Sequence, residues 1–151
     1  MPMLRLRELE PVDASVPRTA TFGEAAEALA ASGLSAVAVL DERGHVAGLF
    51  TEDDFLAGIF PRYLGELRHT AFVPDDLESA TERARAVAGE PVERHMRKAV
   101  TVEADTSAIH AAEVFLHCEW GAVALVDADE RYVGMLSQVE FCRRLLPTLG
   151  R

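Results

Sequence analysis

The chain has 151 residues, of which 49% are hydrophobic and 26% charged, so it is long enough for one soluble domain or two small units with a shared core. Its formal net charge of −10 repels polyphosphate backbones and argues against non-specific binding of DNA or RNA. No apolar run approaches the roughly 18 residues that a membrane helix needs, and Met1 to Glu10 hold no secretory signal, so we expect a cytoplasmic protein with no membrane partner.

The first predicted elements are a helix and a buried strand. A capping box formed by Thr21 and Glu24 starts a helix whose apolar residues share one face, and Gly33 ends it. The apolar run at 36–40 is too short and too uniform for a surface helix. It therefore indicates a strand that is buried on both faces.

A second strand and a second helix follow. The polar residues 41–44 predict a turn, and residues 45–50 predict the strand after it. Thr51 opens a helix that Pro61 terminates, because proline cannot continue a helix interior. An extended piece at 14–16 precedes the whole series.

The same series returns 86 residues later. Residues 16–55 align with residues 102–141 without a gap and are identical at ten of the forty positions. The second series comprises an extended piece at 99–102, a helix face over 108–115, strands at 122–126 and 131–136, and a helix from Ser137 to Pro147. We therefore predict an α/β (α+β) fold of two β-α-β-β-α repeats.

Between the repeats lies an insert, residues 61–91, which is too long for an unstructured loop in a compact domain. Asp75 and Asp76 cap a predicted helix that ends near Gly89. We expect the insert to pack on the repeats, on a second subunit or on an unknown partner. The predicted units are residues 4–60, 61–91 and 92–148.

One motif recurs at the strand-to-helix junction of each repeat. It reads Gly48-Leu49-Phe50-Thr51 with Asp54 in the first repeat, and Gly134-Met135-Leu136-Ser137 with Glu140 in the second. A hydroxyl residue and a carboxylate three positions later form a helix capping box, in which each satisfies a free backbone N–H. The same groups at a helix start also suit a ligand, since the free N–H groups attract anions.

The chain resembles tandem CBS domains, named after cystathionine β-synthase, whose paired form is the Bateman module. The resemblance covers about residues 4–146 apart from the insert. It rests on the first junction motif, the ungapped repeat, the buried strand that ends in Asp41 or Asp127, and Val92 to Met96, which is similar to the leader of a CBS repeat. It implies repeats packed with pseudo-twofold symmetry, a homodimer, and an adenosine-containing ligand such as AMP, ADP, ATP or S-adenosylmethionine in clefts between the repeats.

The resemblance also assigns residues to that ligand. It places Thr51 at the ribose or phosphate and Asp54 at the two ribose hydroxyls, where a carboxylate can accept both hydrogens. It places the segments Val16 to Thr19 and Val102 to Asp105 beside the adenine. Apart from the resemblance, the position of Arg18 next to the first extended segment makes it a candidate for the phosphate. For the first junction we favour ligand binding over capping alone.

The second junction departs from the family pattern. Glu140 stands where the family has aspartate, and its extra methylene moves the carboxylate by about one bond length. Glutamate is also the better capping-box residue, so we expect Ser137 and Glu140 to cap their helix and to have lost or altered the sugar contact. Ala38 and Ala124 replace a family proline in both repeats.

The remaining candidates give weaker signals. The basic cluster from Arg94 to Lys98 suits either ligand phosphates or a solvated leader. His110 and His117 lie on one predicted helix without a visible third ligand, so we predict no metal site. Trp120 is predicted to lie in the core or an interface rather than to stack on adenine.

No catalytic motif is present: there is no nucleophile elbow, phosphate-binding loop or zinc-protease helix, so we predict no enzyme and no catalytic cofactor. The predicted function is a stand-alone regulatory module that senses an adenosine-type ligand and changes a surface offered to an unknown partner protein. The alternative is an interaction or dimerisation module without a ligand.

Overall fold

The computed structural model describes residues 5–60 and 77–150. Both repeats contain the predicted elements in the predicted order, with boundaries shifted by one or two residues. In chain order they are β1 (Ser15–Pro17), α1 (Phe22–Ser32), β2 (Ala36–Leu40), β3 (Val46–Thr51), α2 (Glu52–Ile59), α3 (Leu77–Ala88), β4 (Thr101–Glu103), α4 (Ala108–Leu116), β5 (Ala122–Val126), β6 (Tyr132–Ser137) and α5 (Gln138–Leu145). Short 3-10 helices at Leu6–Leu9, Val92–Arg94 and Leu146–Leu149 complete the described chain.

Each repeat forms a three-stranded sheet with the same topology. The central strand β2 pairs in parallel with β1 and antiparallel with β3, and β5 pairs with β4 and β6 in the same way. In the first sheet Thr51 lies opposite Ala36, whereas Pro17 lies opposite Leu40. The junction motif and the end of the extended segment are therefore at opposite ends of β2.

The two repeats are related by a pseudo-twofold axis, as predicted. His45 and Arg131 occupy equivalent positions in the repeats, and they pair with each other in an antiparallel bridge. Strand β2 also contacts β5 and β6 across the junction between the halves. The fold class and the tandem repeat predicted from the sequence are confirmed.

The central strands owe their burial to this packing. The side chains of β2 are buried at all positions but the last, and those of β5 are buried throughout, because each strand lies between helices and the opposite repeat. Helix α1 begins at the predicted Thr21–Glu24 capping box and ends at Gly33, whose φ of 69° is left-handed. Across residues 5–60 and 77–150, no helix has the length and apolar character required to cross a membrane.

The leaders of the two repeats cross over. The first leader, residues 5–14, places buried Leu6 and Leu9 in the core of the second repeat. Its Val12 forms two backbone hydrogen bonds with Met135 of β6, at 2.9 and 2.7 Å. Each half of the chain therefore supplies part of the other half's core.

The second leader, residues 91–100, does the same for the first repeat. Its buried Val92 belongs to the core cluster around β2, and Arg97 forms two backbone hydrogen bonds of 2.9 Å with Leu49 of β3. The stretch that sequence reasoning assigns to the second repeat thus packs on the first. The predicted domain boundaries stay a prediction.

The helix predicted within the insert is present as α3, and it contacts α1 and α2. Val87 near its end is buried, and the carbonyl oxygen of Ala88 lies only 3.2 Å from where a side chain on Gly23 would begin. The predicted caps Asp75 and Asp76 lie outside the described residues. Helix α3 covers the first repeat's helices, so the repeats differ in their outer surface.

Candidate functional site

The first strand-to-helix junction is a complete capping box. The hydroxyl of Thr51, at the end of β3, accepts a hydrogen bond from the backbone N–H of Asp54 at 3.2 Å. In return, Oδ2 of Asp54 accepts bonds from the backbone N–H and the hydroxyl of Thr51, at 2.9 and 2.8 Å. The first junction motif therefore has the geometry of a helix capping box.

The same carboxylate is also held by Arg97 of the second leader. Nε of Arg97 donates to Oδ2 of Asp54 at 3.1 Å, and Nη2 donates to Oδ1 at 2.9 Å. The Asp54 side chain is only 12% exposed, and that of Arg97 is 29% exposed. The hydrogen bond to Asp54 raises the pKa of Arg97 against the opposing effect of burial, with help from the charges of Asp54, Asp53 and Glu119. Both carboxylate oxygens are thus occupied by the protein itself.

Trp120 lies beside the Arg97–Asp54 pair. The Arg97 guanidinium lies 5.0 Å from the centre of the Trp120 ring, within the range of a cation–π interaction. The hydroxyl of Ser35 donates to the backbone carbonyl of Trp120, which joins the two repeats. The indole N–H is buried and finds no hydrogen-bond partner in the described part of the chain. Packing and the guanidinium, rather than hydrogen bonding, hold the ring.

The second junction is arranged differently. The hydroxyl of Ser137 accepts from the backbone N–H of Glu140 at 3.1 Å. The Glu140 carboxylate, however, accepts from Arg143 at 2.8 Å and Arg144 at 3.2 Å, one turn further along α5. The expectation that glutamate makes the better reciprocal box is wrong here. The longer side chain reaches forward to two arginines, whereas the shorter Asp54 side chain reaches back to Thr51.

Two clefts lie between the repeats, and Ser35, Glu52 and Gly121 line both of them. The first cleft has a volume of about 280 Å³ and the second of about 620 Å³. The first is lined by Ser35, Thr51, Glu52, Asp53, Cys118, Glu119, Trp120, Gly121 and Gln138. The second is lined by Leu9, Glu10, Val12, Gly33, Leu34, Ser35, Glu52, Gly121, Ser137, Val139, Glu140 and Arg143. Glu140 therefore opens onto its cleft, whereas the carboxylate of Asp54 faces Arg97.

The predicted adenine-flanking residues lie elsewhere. Val16 and Val102 are buried in the cores, and Thr19 is exposed. Arg18 is exposed and pairs with Glu93, whose hydrogen bond raises the pKa of Arg18. None of the four predicted residues lines either cleft. Their assignment to the ligand stays a prediction. The register of the first sheet does not support it, because the end of β1 and the junction motif lie at opposite ends of β2.

Sequence reasoning missed the partnership of Arg97 with Asp54. The sequence predicts that the basic cluster from Arg94 to Lys98 contacts either ligand phosphates or solvent, and neither prediction names Asp54. The partners are 43 positions apart, so no local spacing indicates their contact. Trp120 is half-buried and packs against the first core, as predicted, but its contact with Arg97 was not foreseen.

Comparisons with known proteins agree with this architecture. The CBS domain family model matches residues 7–60 and 92–147. No curated protein matches the sequence. A CBS domain-containing protein of unknown function from Kribbella flavida has a similar structure, with a TM-score of 0.74 and 19% identity over 95% of this chain and 99% of that chain.

Two further solved structures are similar. A CBS domain protein from Pyrobaculum aerophilum, complexed with AMP, has a TM-score of 0.70 and 22% identity over 97% of this chain and 98% of that chain. A protein from Methanocaldococcus jannaschii, described as a putative archaeal homologue of γ-AMPK, has a TM-score of 0.73 and 19% identity over 96% of this chain and 51% of that chain. At these identities the structures support the fold. Because the family model matches twice, over most of the sequence, the chain belongs to the CBS domain family as a tandem CBS pair.

Proposed function

We propose that this chain is a regulatory CBS pair that binds an adenosine-containing ligand between its repeats and catalyses no reaction. The observation that carries the proposal is the second cleft, onto which the junction residues Ser137 and Glu140 open. Its volume of about 620 Å³ falls within the range of roughly 300–1,000 Å³ that is usual for small-molecule sites.

The chemistry of the second cleft suits a nucleoside. The Glu140 carboxylate offers acceptor oxygens for a ribose diol, and Arg143 beside it offers donors for a phosphate. Leu9, Val12 and Val139 add apolar surface for a base. We propose the matching role for Thr51, which lines the first cleft, and for Asp54, whose carboxylate is bound by Arg97 in this structure.

The structural relatives support this class of ligand. The protein from Pyrobaculum aerophilum is complexed with AMP, and the protein from Methanocaldococcus jannaschii is described as a putative archaeal homologue of γ-AMPK. We therefore propose AMP, ADP, ATP or S-adenosylmethionine as the ligand.

The output would be a change in an exposed surface. A ligand that contacts both repeats stabilises one relative arrangement of them, because only differential binding shifts a conformational equilibrium. We further propose that the chain forms a homodimer and regulates a partner protein. The cytoplasmic location stays a prediction.

Calorimetric titration with AMP, ADP, ATP, S-adenosylmethionine and NAD tests the proposal. We expect saturable binding of at least one adenosine compound, and a Kd at least tenfold higher in Glu140→Ala, since the ribose contact is lost. Glu113→Ala is the matched control, because the Glu113 side chain on α4 is 69% exposed and lines neither cleft. Absence of binding to the whole panel would refute the sensor.

One observation favours the alternative, an interaction module without a ligand. The Asp54 carboxylate is already satisfied by Thr51 and Arg97, so the first cleft needs no ligand for its stability. Sedimentation of the native chain with and without the panel separates the two functions. A ligand-free module has the same sedimentation coefficient in every sample. A sensor binds a compound of the panel, and its sedimentation coefficient changes in the sample that contains that compound.

A further inference from the structure

Resting on the homodimer proposed above, we infer that two copies of this chain associate in an antiparallel arrangement. Helices α1 and α2, the first helix pair, of each copy pack against helices α4 and α5, the second helix pair, of the other. The contact places Leu116 of one copy in an apolar groove on the first helix pair of the second copy.

The second helix pair exposes large apolar side chains. Ile109 and Leu116 of α4 are 79% and 82% exposed, and they lie seven residues apart, so they share one face of the helix. Ala112 lies between them on the same face and is half-buried. A continuous apolar stripe on an otherwise charged protein is typical of an interaction surface.

The first helix pair has a groove at the equivalent place. The groove has a volume of about 350 Å³, and its walls include Ala26 and Ala30 of α1 and Phe55 of α2. Helix α3 lies against Gly23 at the other end of α1 and leaves the groove open. At the repeat offset of 86 residues, Ala30 is the equivalent of Leu116. One repeat therefore has space where the other has a large side chain.

This difference in side-chain size favours one arrangement of two copies. If equivalent helix pairs faced each other, both grooves would stay unfilled and both Leu116 side chains would lie outside them. In the antiparallel arrangement each Leu116 fills a groove. Filled apolar space gains the dispersion contacts that an empty groove forfeits.

Charge favours the same arrangement. The second helix pair has two carboxylates and two arginines, Arg143 and Arg144. The first helix pair has no lysine or arginine, and Asp54 is paired with Arg97 of the second leader. Its other carboxylates are those of Glu24, Glu27, Glu52 and Asp53. Contact between two first helix pairs would bring like charges together, which weakens association.

Twofold symmetry explains why the occupant of the groove is a second copy. In a twofold dimer, a contact of residue i with residue j is accompanied by the contact of j with i. Insertion of one Leu116 into the groove of the other copy therefore brings the reverse insertion with it. A second copy supplies a complement to both helix pairs at once, which a protein without this repeat does not.

Site-specific cross-linking tests which helix pairs meet. Ala30→Cys and Leu116→Cys are made in a Cys118→Ser, Cys142→Ser background and treated with a short bis-maleimide, each alone and as a mixture. We expect at least tenfold more covalent dimer in the mixture than in either variant alone, because position 30 of one copy faces position 116 of the other. A mixture of Leu116→Cys with Thr19→Cys is the control, since Thr19 is exposed outside both helix pairs.

Charge substitutions at the inserted residue give an independent test in the chain with its native cysteines. Leu116→Glu and Leu116→Lys both remove the apolar contact, but the glutamate meets Glu52 at the groove of the second copy. We expect the dimer Kd, measured by sedimentation equilibrium, to rise at least tenfold more in Leu116→Glu than in Leu116→Lys. Val133→Glu, at an exposed apolar position of β6, should leave the Kd unchanged.

Covalent dimers of the single variants without enrichment in the mixture would show that equivalent helix pairs meet, and would overturn the antiparallel arrangement. An equal or smaller rise of the Kd in Leu116→Glu than in Leu116→Lys would overturn it as well. A monomer at every concentration would remove the homodimer itself. If the cysteine-free background does not fold, the charge substitutions decide the matter. Calorimetry with the adenosine panel on the same chains tests ligand binding separately, so loss of the arrangement leaves the proposed sensor intact.

Discussion

Asp54 and Glu140 occupy equivalent positions in the two repeats but contribute unequally to the stability of the fold. Asp54 is nearly buried and closes both a capping box and a bidentate ion pair. Glu140 is bound by two arginines that are 66% and 41% exposed. Exposed ion pairs contribute little because water screens them, whereas a buried carboxylate with four donors holds its neighbours firmly.

Asp54→Ala should therefore cost about 2–3 kcal/mol of the free energy of unfolding, since it removes charged hydrogen bonds and a helix cap. Glu140→Ala should cost no more than about 0.5 kcal/mol. Urea denaturation of both variants without ligand measures the difference. Equal losses would contradict the structural role given to the Arg97–Asp54 pair.

Tyr132 gives a second prediction at this scale. Burial raises the pKa of its phenol to about 12, although the hydrogen bond from the backbone N–H of Ala14 acts in the opposite direction. In the unfolded chain the phenol has its ordinary pKa of 10.0. The contribution of Tyr132 to folding stability is therefore complete below that pH and is lost as the pH rises through about 12. Ultraviolet titration of Tyr63→Phe, which leaves Tyr132 as the remaining tyrosine, should show a phenolate midpoint well above 10.0. A midpoint at the ordinary value would show that the ring is solvated.

At the scale of elements, the glycine of the junction motif has a packing role. A side chain on Gly48 would begin 2.6 Å from the sulfur of Met96 and 2.9 Å from the carbonyl oxygen of Arg97. The second leader can lie against β3 because this position has no Cβ. Gly134 admits Pro11 of the first leader in the same way, at 2.8 Å.

Gly48→Ala should destabilise the fold by about 1–3 kcal/mol, because the leader backbone must move to relieve the contact. Gly89→Ala is the control, since no heavy atom lies within 4 Å of its added Cβ and the residue has no left-handed φ. It should be neutral or slightly stabilising. The Tm values of the two variants show whether packing requires a glycine at position 48, in contrast to position 89, where a side chain has space.

The elements themselves follow from local sequence. The Thr21–Glu24 box, Gly33 and the apolar run at 36–40 define α1 and β2 because capping and periodicity are short-range properties. The site is only half predictable for the same reason. The position within the motif indicates Thr51 and Asp54 as candidates, but the partner of Asp54, Arg97, comes from a leader 43 residues further along the chain. Whether the carboxylate reaches back to the hydroxyl residue or forward to arginines depends on the length of its side chain and on the arginines that fold beside it.

At the scale of the whole molecule, the crossed leaders make the halves interdependent. Val92 fills the first core and Leu6 and Leu9 fill the second. Fragments 1–76 and 77–151 should therefore show no cooperative unfolding when each is alone, because each lacks buried side chains that the other supplies. Mixing them should restore a cooperative transition, measured by circular dichroism. Independent folding of either fragment would contradict this dependence.

Synthesis on the ribosome gives the crossed leaders a further consequence. Domains usually fold in order as they emerge, beginning at the N-terminus. Here the first repeat emerges from the ribosome before Val92 and Met96, which pack on its core, and the first leader must wait for Met135 of β6. The part of β2 that packs against β5 and β6 stays uncovered until almost the whole chain has been made. Nascent chains of this protein should thus depend on chaperones for longer than chains whose repeats close on themselves.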